Sequence, residues 1–103
     1  MGRAVSGPDL YRLKGELLLM QNDSNVEEAE NSFRRAIEIA RRQQAKSWEL
    51  RATMSLARLL NTQGRRDEAR AMLAEIYGWF TEGYDTADLK DAKALLDELN
   101  AYA

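Results

Sequence analysis

The stretch Ser24-Asn25-Val26-Glu27-Glu28-Ala29-Glu30-Asn31-Ser32-Phe33-Arg34-Arg35-Ala36-Ile37-Glu38-Ile39-Ala40-Arg41-Arg42 decides the fold class. Val26, Ala29, Phe33, Ala36, Ile37 and Ala40 recur at spacings of three and four, which draws one apolar stripe down a helix. The other side carries Glu30, Arg34, Glu38 and Arg42, each four residues apart. Glu30–Arg34 and Glu38–Arg42 place the acid before the base, the order that favours a helix. Ser24 with Glu27, or Asn25 with Glu28, has the spacing of a capping box. A helix is expected over about 25–44.

The same periodicity continues on both sides. Helices are expected over about 9–21 (Leu10, Leu13, Leu17 and Met20, with Tyr11 and Leu18 beside them), 47–63 (Leu50, Thr53, Met54, Leu56, Ala57, Leu60), 66–80 (Ala69, Met72, Leu73, Ile76, Phe80) and 87–100 (Leu89, Ala92, Leu95, Leu96, Leu99). Pro8 and Asp9 suit a helix start, Gly64 a left-handed helix end, and Asp85 or Thr86 an N-cap. No stretch alternates with period two, and Ala, Leu, Glu, Arg and Lys dominate, so the fold class is all-α. The loops are short, which makes successive helices antiparallel neighbours. Residues 9–103 read as one domain, with 1–8 as a disordered lead or an artificial start.

Composition narrows the function. The 103 residues hold 15 Lys+Arg and 17 Asp+Glu, a net charge of −2, with no cysteine and no histidine. That removes thiol nucleophiles, disulfides, zinc-thiolate sites and the commonest general base and metal ligand. No Ser-x-x-Lys pair or calcium-loop spacing occurs, so the chain is not expected to be an enzyme or to hold a cofactor or metal. Glu27, Glu28 and Glu30 crowd a helix start, where negative charge is favoured without any ion. The near-neutral balance speaks against nucleic acid as a partner. The longest apolar run, residues 17–20, is far too short to span a membrane, and a cytoplasmic location is the default. Met1-Gly2-Arg3-Ala4-Val5-Ser6 formally fits a myristoylation pattern; an artificial start is the preferred reading.

The chain also repeats itself. Tyr11, Gly15 and Leu18, followed by Ala29, Phe33 and Ala36, match Thr53, Ala57 and Leu60, followed by Ala69, Leu73 and Ile76. This resembles the tetratricopeptide repeat, in which small residues let two helices approach and large ones fill the groove between them. Ala29 and Ala69 are forty residues apart against about 34 in that repeat, so the second and third helices are expected to be long. The resemblance implies a right-handed array of two antiparallel helical hairpins closed by a C-terminal capping helix. Lys90, Asp91, Lys93 and Asp97 give that last helix a polar outer face.

A narrower resemblance covers residues 11–99. Tyr11-Arg12-Leu13-Lys14-Gly15-Glu16-Leu17-Leu18, Ala29-Glu30, Phe33-Arg34-Arg35-Ala36, Ser55-Leu56-Ala57-Arg58-Leu59, Ile76-Tyr77-Gly78-Trp79-Phe80-Thr81-Glu82-Gly83-Tyr84-Asp85-Thr86 and Asp88-Leu89-Lys90 carry it. They are similar to the C-terminal helical-repeat region of bacterial multidomain signalling proteins that bear an adenylate/guanylate cyclase or a predicted ATPase domain. The resemblance implies a C-terminal sensing or scaffolding region. Nothing here resembles the catalytic parts.

Tetratricopeptide arrays use the first helix of each hairpin as a concave binding face. Carried over, that face is Asp9, Arg12, Glu16, Leu19 and Met20, then Arg51, Met54, Arg58, Asn61 and Thr62. Its core candidates are Arg12, Glu16, Leu19, Arg51, Met54, Arg58 and Asn61. Arg51 and Arg58 suit an acidic or C-terminal peptide, since guanidinium pairs with carboxylate, and an ordinary solvated face fits the same residues equally. The family's Lys/Asn carboxylate clamp is not matched. Tyr77, Trp79, Phe80 and Tyr84 form either a docking hot spot or, preferably, the seat of the fifth helix on the fourth. Arg34-Arg35 and Arg41-Arg42 read as a solvated, ion-paired face. The function expected is a non-catalytic protein-interaction or scaffolding module; the alternative is a regulatory domain sensing a small molecule or nucleotide. The first helix carries Leu10, Leu13 and Leu17 but also Leu18, Leu19 and Met20. Apolar residues on more than one side of it predict a homodimer.

Overall fold

The computed structural model describes residues 7–21, 23–80 and 86–101, with the backbone alone at Asp23. Five α-helices form: α1 (Gly7–Gln21), α2 (Val26–Arg42), α3 (Lys46–Thr62), α4 (Arg66–Trp79) and α5 (Ala87–Asn100), with a 3-10 turn at Asp23–Asn25. No strand occurs among the described residues, and the fold is all-α. α2 and α3 have 17 residues each against 15, 14 and 14 for the others, the lengthening that the forty-residue spacing requires.

Two local expectations are corrected. α1 begins at Gly7 and buries Pro8, so these two residues belong to the domain. Proline fits a first turn, where its missing N–H has no helical partner to lose. The expectation for residues 1–6 lies outside the described residues. The Asn25–Glu28 capping box does not form either. Asn25 ends the 3-10 turn with φ −86° and ψ 13°, far from the extended backbone that a capping side chain needs. Its Nδ2 instead donates to the Leu18 carbonyl at 3.1 Å, satisfying an otherwise orphaned group in the last turn of α1. At α5 the Thr86 cap forms as expected: its hydroxyl accepts from the Leu89 N–H at 3.3 Å.

The α2–α3 and α3–α4 connections are twins. In each, the N–H two residues past the cap's carbonyl-bearing turn reaches back five residues: Ala45 to Ala40 at 2.9 Å and Arg65 to Leu60 at 2.9 Å. The preceding N–H bonds three back, Gln44 to Arg41 at 3.1 Å and Gly64 to Asn61 at 3.2 Å. This paired pattern closes a helix through one left-handed residue. Gly64 takes it with φ 78°, as its sequence position indicated; at the first turn Gln44 takes it with φ 56°.

Short connections and broad contact make consecutive helices antiparallel. α3 touches α1, α2, α4 and α5, whereas α2 and α4 do not pack backbone to backbone. The odd-numbered helices thus share one layer and the even-numbered ones the other. The dimensions of 44 × 36 × 21 Å agree, since two helix diameters of about 10 Å span the thin direction. Ten residues of α3 are buried because it has neighbours on nearly every side. The repeated small–large–small residues meet in the core: Ala29, Phe33, Ala36, Ala57, Ala69 and Leu73 are fully buried and Ile76 is 5% exposed.

Candidate functional site

The residues expected to form one binding face do not all stay together. Met54 is only 4% exposed and leaves the surface, since α3 is packed against α1, α2, α4 and α5. Arg51 is engaged between helices: it donates to Asp88 at 2.9 Å and stacks over the Trp48 ring at 4.9 Å, clasping α5 to α3. Asn61 lies at the α3–α4 turn, beside Gly64, Arg66 and Asp67. Met20 points into solvent at the edge of α1.

Glu16, Leu19 and Arg58 do converge. With Val26, Ser55 and Thr62 they line a groove of about 430 Å³ between α1 and α3. The Ser55 hydroxyl donates to Glu16 at 2.8 Å, fixing the carboxylate against the α3 wall. Arg12 pairs with Asp9 at 3.0 Å and stands 4.0 Å from Glu16, so the acid is partly neutralised from within α1. Arg58 is exposed and forms no ion pair among the described residues. A groove with apolar walls, a tethered acid and one uncommitted guanidinium can receive an apolar group carrying a carboxylate.

Sequence periodicity missed the strongest charge cluster, because its members come from separate hairpins. Arg34 bonds Glu30 at 2.9 Å and Glu68 at 3.0 Å; Arg65 bonds Glu30 at 3.1 Å and Glu68 at 2.9 Å. The ring ties α2 to the start of α4, which lack direct backbone packing. Hydrogen bonds from Arg34 and then Arg65 hold the Glu68 carboxyl below its ordinary range, and bonds to Glu68 and Glu30 raise Arg65. A carboxyl lowered in the folded state stabilises the fold above its unfolded pKa and loses that contribution as pH falls through the folded value. Arg65, raised, stays charged throughout that range. The Tm of the wild type is therefore expected to fall below about pH 4.5 more steeply than that of Glu68→Gln, measured by circular dichroism at low salt. Superimposable acid limbs would show that the ring contributes nothing.

Also missed was Glu49, 4% exposed in the first turn of α3, which accepts from Arg41 at 2.9 Å and Lys46 at 3.5 Å. The expected ion pairing of the arginine face is present: Arg35 and Arg42 bond Glu38, at 3.3 and 3.1 Å. Tyr77 and Phe80 pack against the core, while Trp79 is 56% exposed and meets Phe80 edge-on at 5.1 Å, with Lys46 5.3 Å from its ring. Phe80 borders Leu89 and Thr86 of the α5 start, as a seat for that helix requires. Tyr84 and Asp85 lie outside the described residues. No described helix is long and apolar enough to cross a membrane. No family model, curated protein or solved structure matches this chain.

Proposed function

We propose that the chain is a non-catalytic protein-interaction module, a tetratricopeptide-like pair of hairpins that docks a partner peptide in the groove between α1 and α3. The exposed, uncommitted guanidinium of Arg58 on the wall of that groove carries the reading. An incoming carboxylate there replaces water around an unpaired cation and breaks no existing ion pair. Leu19 and Val26 offer an apolar wall for the side chain next to it. The occupant favoured is thus a peptide C-terminus ending in an aliphatic residue. The resemblance of residues 11–99 to C-terminal repeats of bacterial signalling proteins supports a scaffolding role within such a protein in the cytoplasm.

The test is fluorescence anisotropy with a labelled peptide ending in leucine, as the free acid and as the amide. Arg58→Ala is expected to weaken the free acid by roughly 10- to 100-fold, the loss of a charge-assisted pair, and to leave the amide unchanged. Equal binding of acid and amide, or no effect of Arg58→Ala, would overturn the reading.

A further inference from the structure

α1 has two opposed faces. Its inward side is Gly15, where an added Cβ would stand 2.5 Å from the ring of Phe33. At about 100° per residue, Leu10, Leu13, Leu17 and Met20 fall on the opposite side. They are 55%, 40%, 56% and 80% exposed, beside a shallow groove of about 600 Å³. The repeat supplies an internal control. The register that sets Gly15 on Ala57 sets Leu10, Leu13 and Leu17 on Ala52, Ser55 and Leu59. Those three are 1%, 5% and 5% exposed, because α3 lies in the middle of the stack with α1 and α2 ahead of it. The side that is covered on α3 is bare on α1.

We propose that this bare side pairs with α1 of a second copy, parallel to it, in a two-fold dimer. The spacing 10, 13, 17, 20 is a three-four-three seam, the repeat by which two helices interlock. A single seam facing its own copy is self-complementary, as a two-fold interface requires. The flanks choose the direction. Lys14 and Gln21 border one edge of the seam; Asp9 and Glu16 border the other. Parallel pairing sets Asp9 against Lys14 of the second copy and Glu16 against its Gln21. Antiparallel pairing would bring the Asp9–Glu16 edges together, two carboxylates on each with only Arg12 between them. The four side chains expose roughly 400–500 Å² per copy, or about 900 Å² in a pair before the flanks are added, near the lower bound of about 1,200 Å² for a stable interface. The dimer is accordingly concentration-dependent. Of the residues that line the Arg58 groove only Glu16 borders the seam, and none of the four seam residues lines that groove.

Sedimentation equilibrium from about 5 to 500 μM reads the outcome directly. The mass is expected to rise from 11.7 kDa toward twice that value. Leu17→Lys, at an exposed position, is expected to hold the mass at the monomer value throughout while keeping the wild-type helical spectrum, and the wild-type Tm at about 5 μM, where both are monomers. Direction is read by cross-linking, since the chain has no cysteine of its own. Met20→Cys faces its own copy in the parallel pair and is expected to form a disulfide-linked dimer under mild oxidation; Ala71→Cys, exposed on α4, is not. A monomer at every concentration overturns the proposal and points to a different occupant of this side. A dimer insensitive to Leu17→Lys, or one that Met20→Cys does not link, overturns it equally.

Discussion

Phe33→Ala is expected to remove about 3–5 kcal/mol of folding stability, a large part of the roughly 5–15 kcal/mol that a domain of this size has. The ring is fully buried, and three of its carbons lie 2.5, 2.8 and 2.9 Å from where a Cβ on Gly15 would be. The ring occupies the volume that glycine leaves open, so the two residues are coupled. Alanine normally favours a helix over glycine by about 1 kcal/mol, yet Gly15→Ala is expected to destabilise by about 1–3 kcal/mol, because overpacking against a rigid ring outweighs the gain. Gly78→Ala meets nothing within 4 Å and is expected to raise stability by a few tenths to about 1 kcal/mol. Combining Gly15→Ala with Phe33→Leu should cost less than the sum of the two single changes, since the smaller side chain makes room for the methyl. Urea denaturation of these variants, with Phe33→Leu alone completing the cycle, measures this. A stabilising Gly15→Ala would mean that the helices part at no cost and that the close approach does not organise the hairpin.

That contact also shows why the fold was legible in the sequence. The small–large–small residues Ala29, Phe33 and Ala36 speak through spacing alone, and burial follows spacing in an amphipathic helix. Helix ends were legible where chemistry is specific, as at Gly64 and Thr86, and not where backbone context decides. Gln44 takes the left-handed position although its type gives no sign of it, because the geometry of the α2–α3 turn outweighs a strain of about 1–2 kcal/mol. The site was legible only in part. A position-by-position transfer identifies the side of a helix but not what its neighbours put over it: α5 claims Arg51 through Asp88, and the crowding of α3 buries Met54. Glu16, Leu19 and Arg58 stay together because α1 and α3 lie side by side. The ring of Glu30, Arg34, Arg65 and Glu68 joins residues up to 38 positions apart, and no periodicity within one helix announces it.

Ending the chain at Phe80 is expected to abolish cooperative unfolding. α5 buries Leu89, Ala92, Leu95 and Leu99 against α3 and α4. Its three leucines at about 1.5–3 kcal/mol each amount to roughly 5–9 kcal/mol, comparable with the whole stability of such a domain. The loss also uncovers Leu50 and takes Asp88 from Arg51. Leu99→Ala, which leaves α5 in place, should cost about 2–5 kcal/mol and keep a two-state melt. The opposite end of the stack responds differently: Leu17→Lys, exposed on α1, should change the stability of the monomer by less than about 0.5 kcal/mol. This contrast follows from how each end meets solvent. α5 turns Lys90, Asp91, Lys93 and Asp97 outward and leucine inward, whereas α1 turns leucine outward. If the truncated chain still melts with a sharp transition by circular dichroism and calorimetry, then the first four helices hold a sufficient core among themselves. α5 would then be an appendage, and the asymmetry between the two ends would have no bearing on folding.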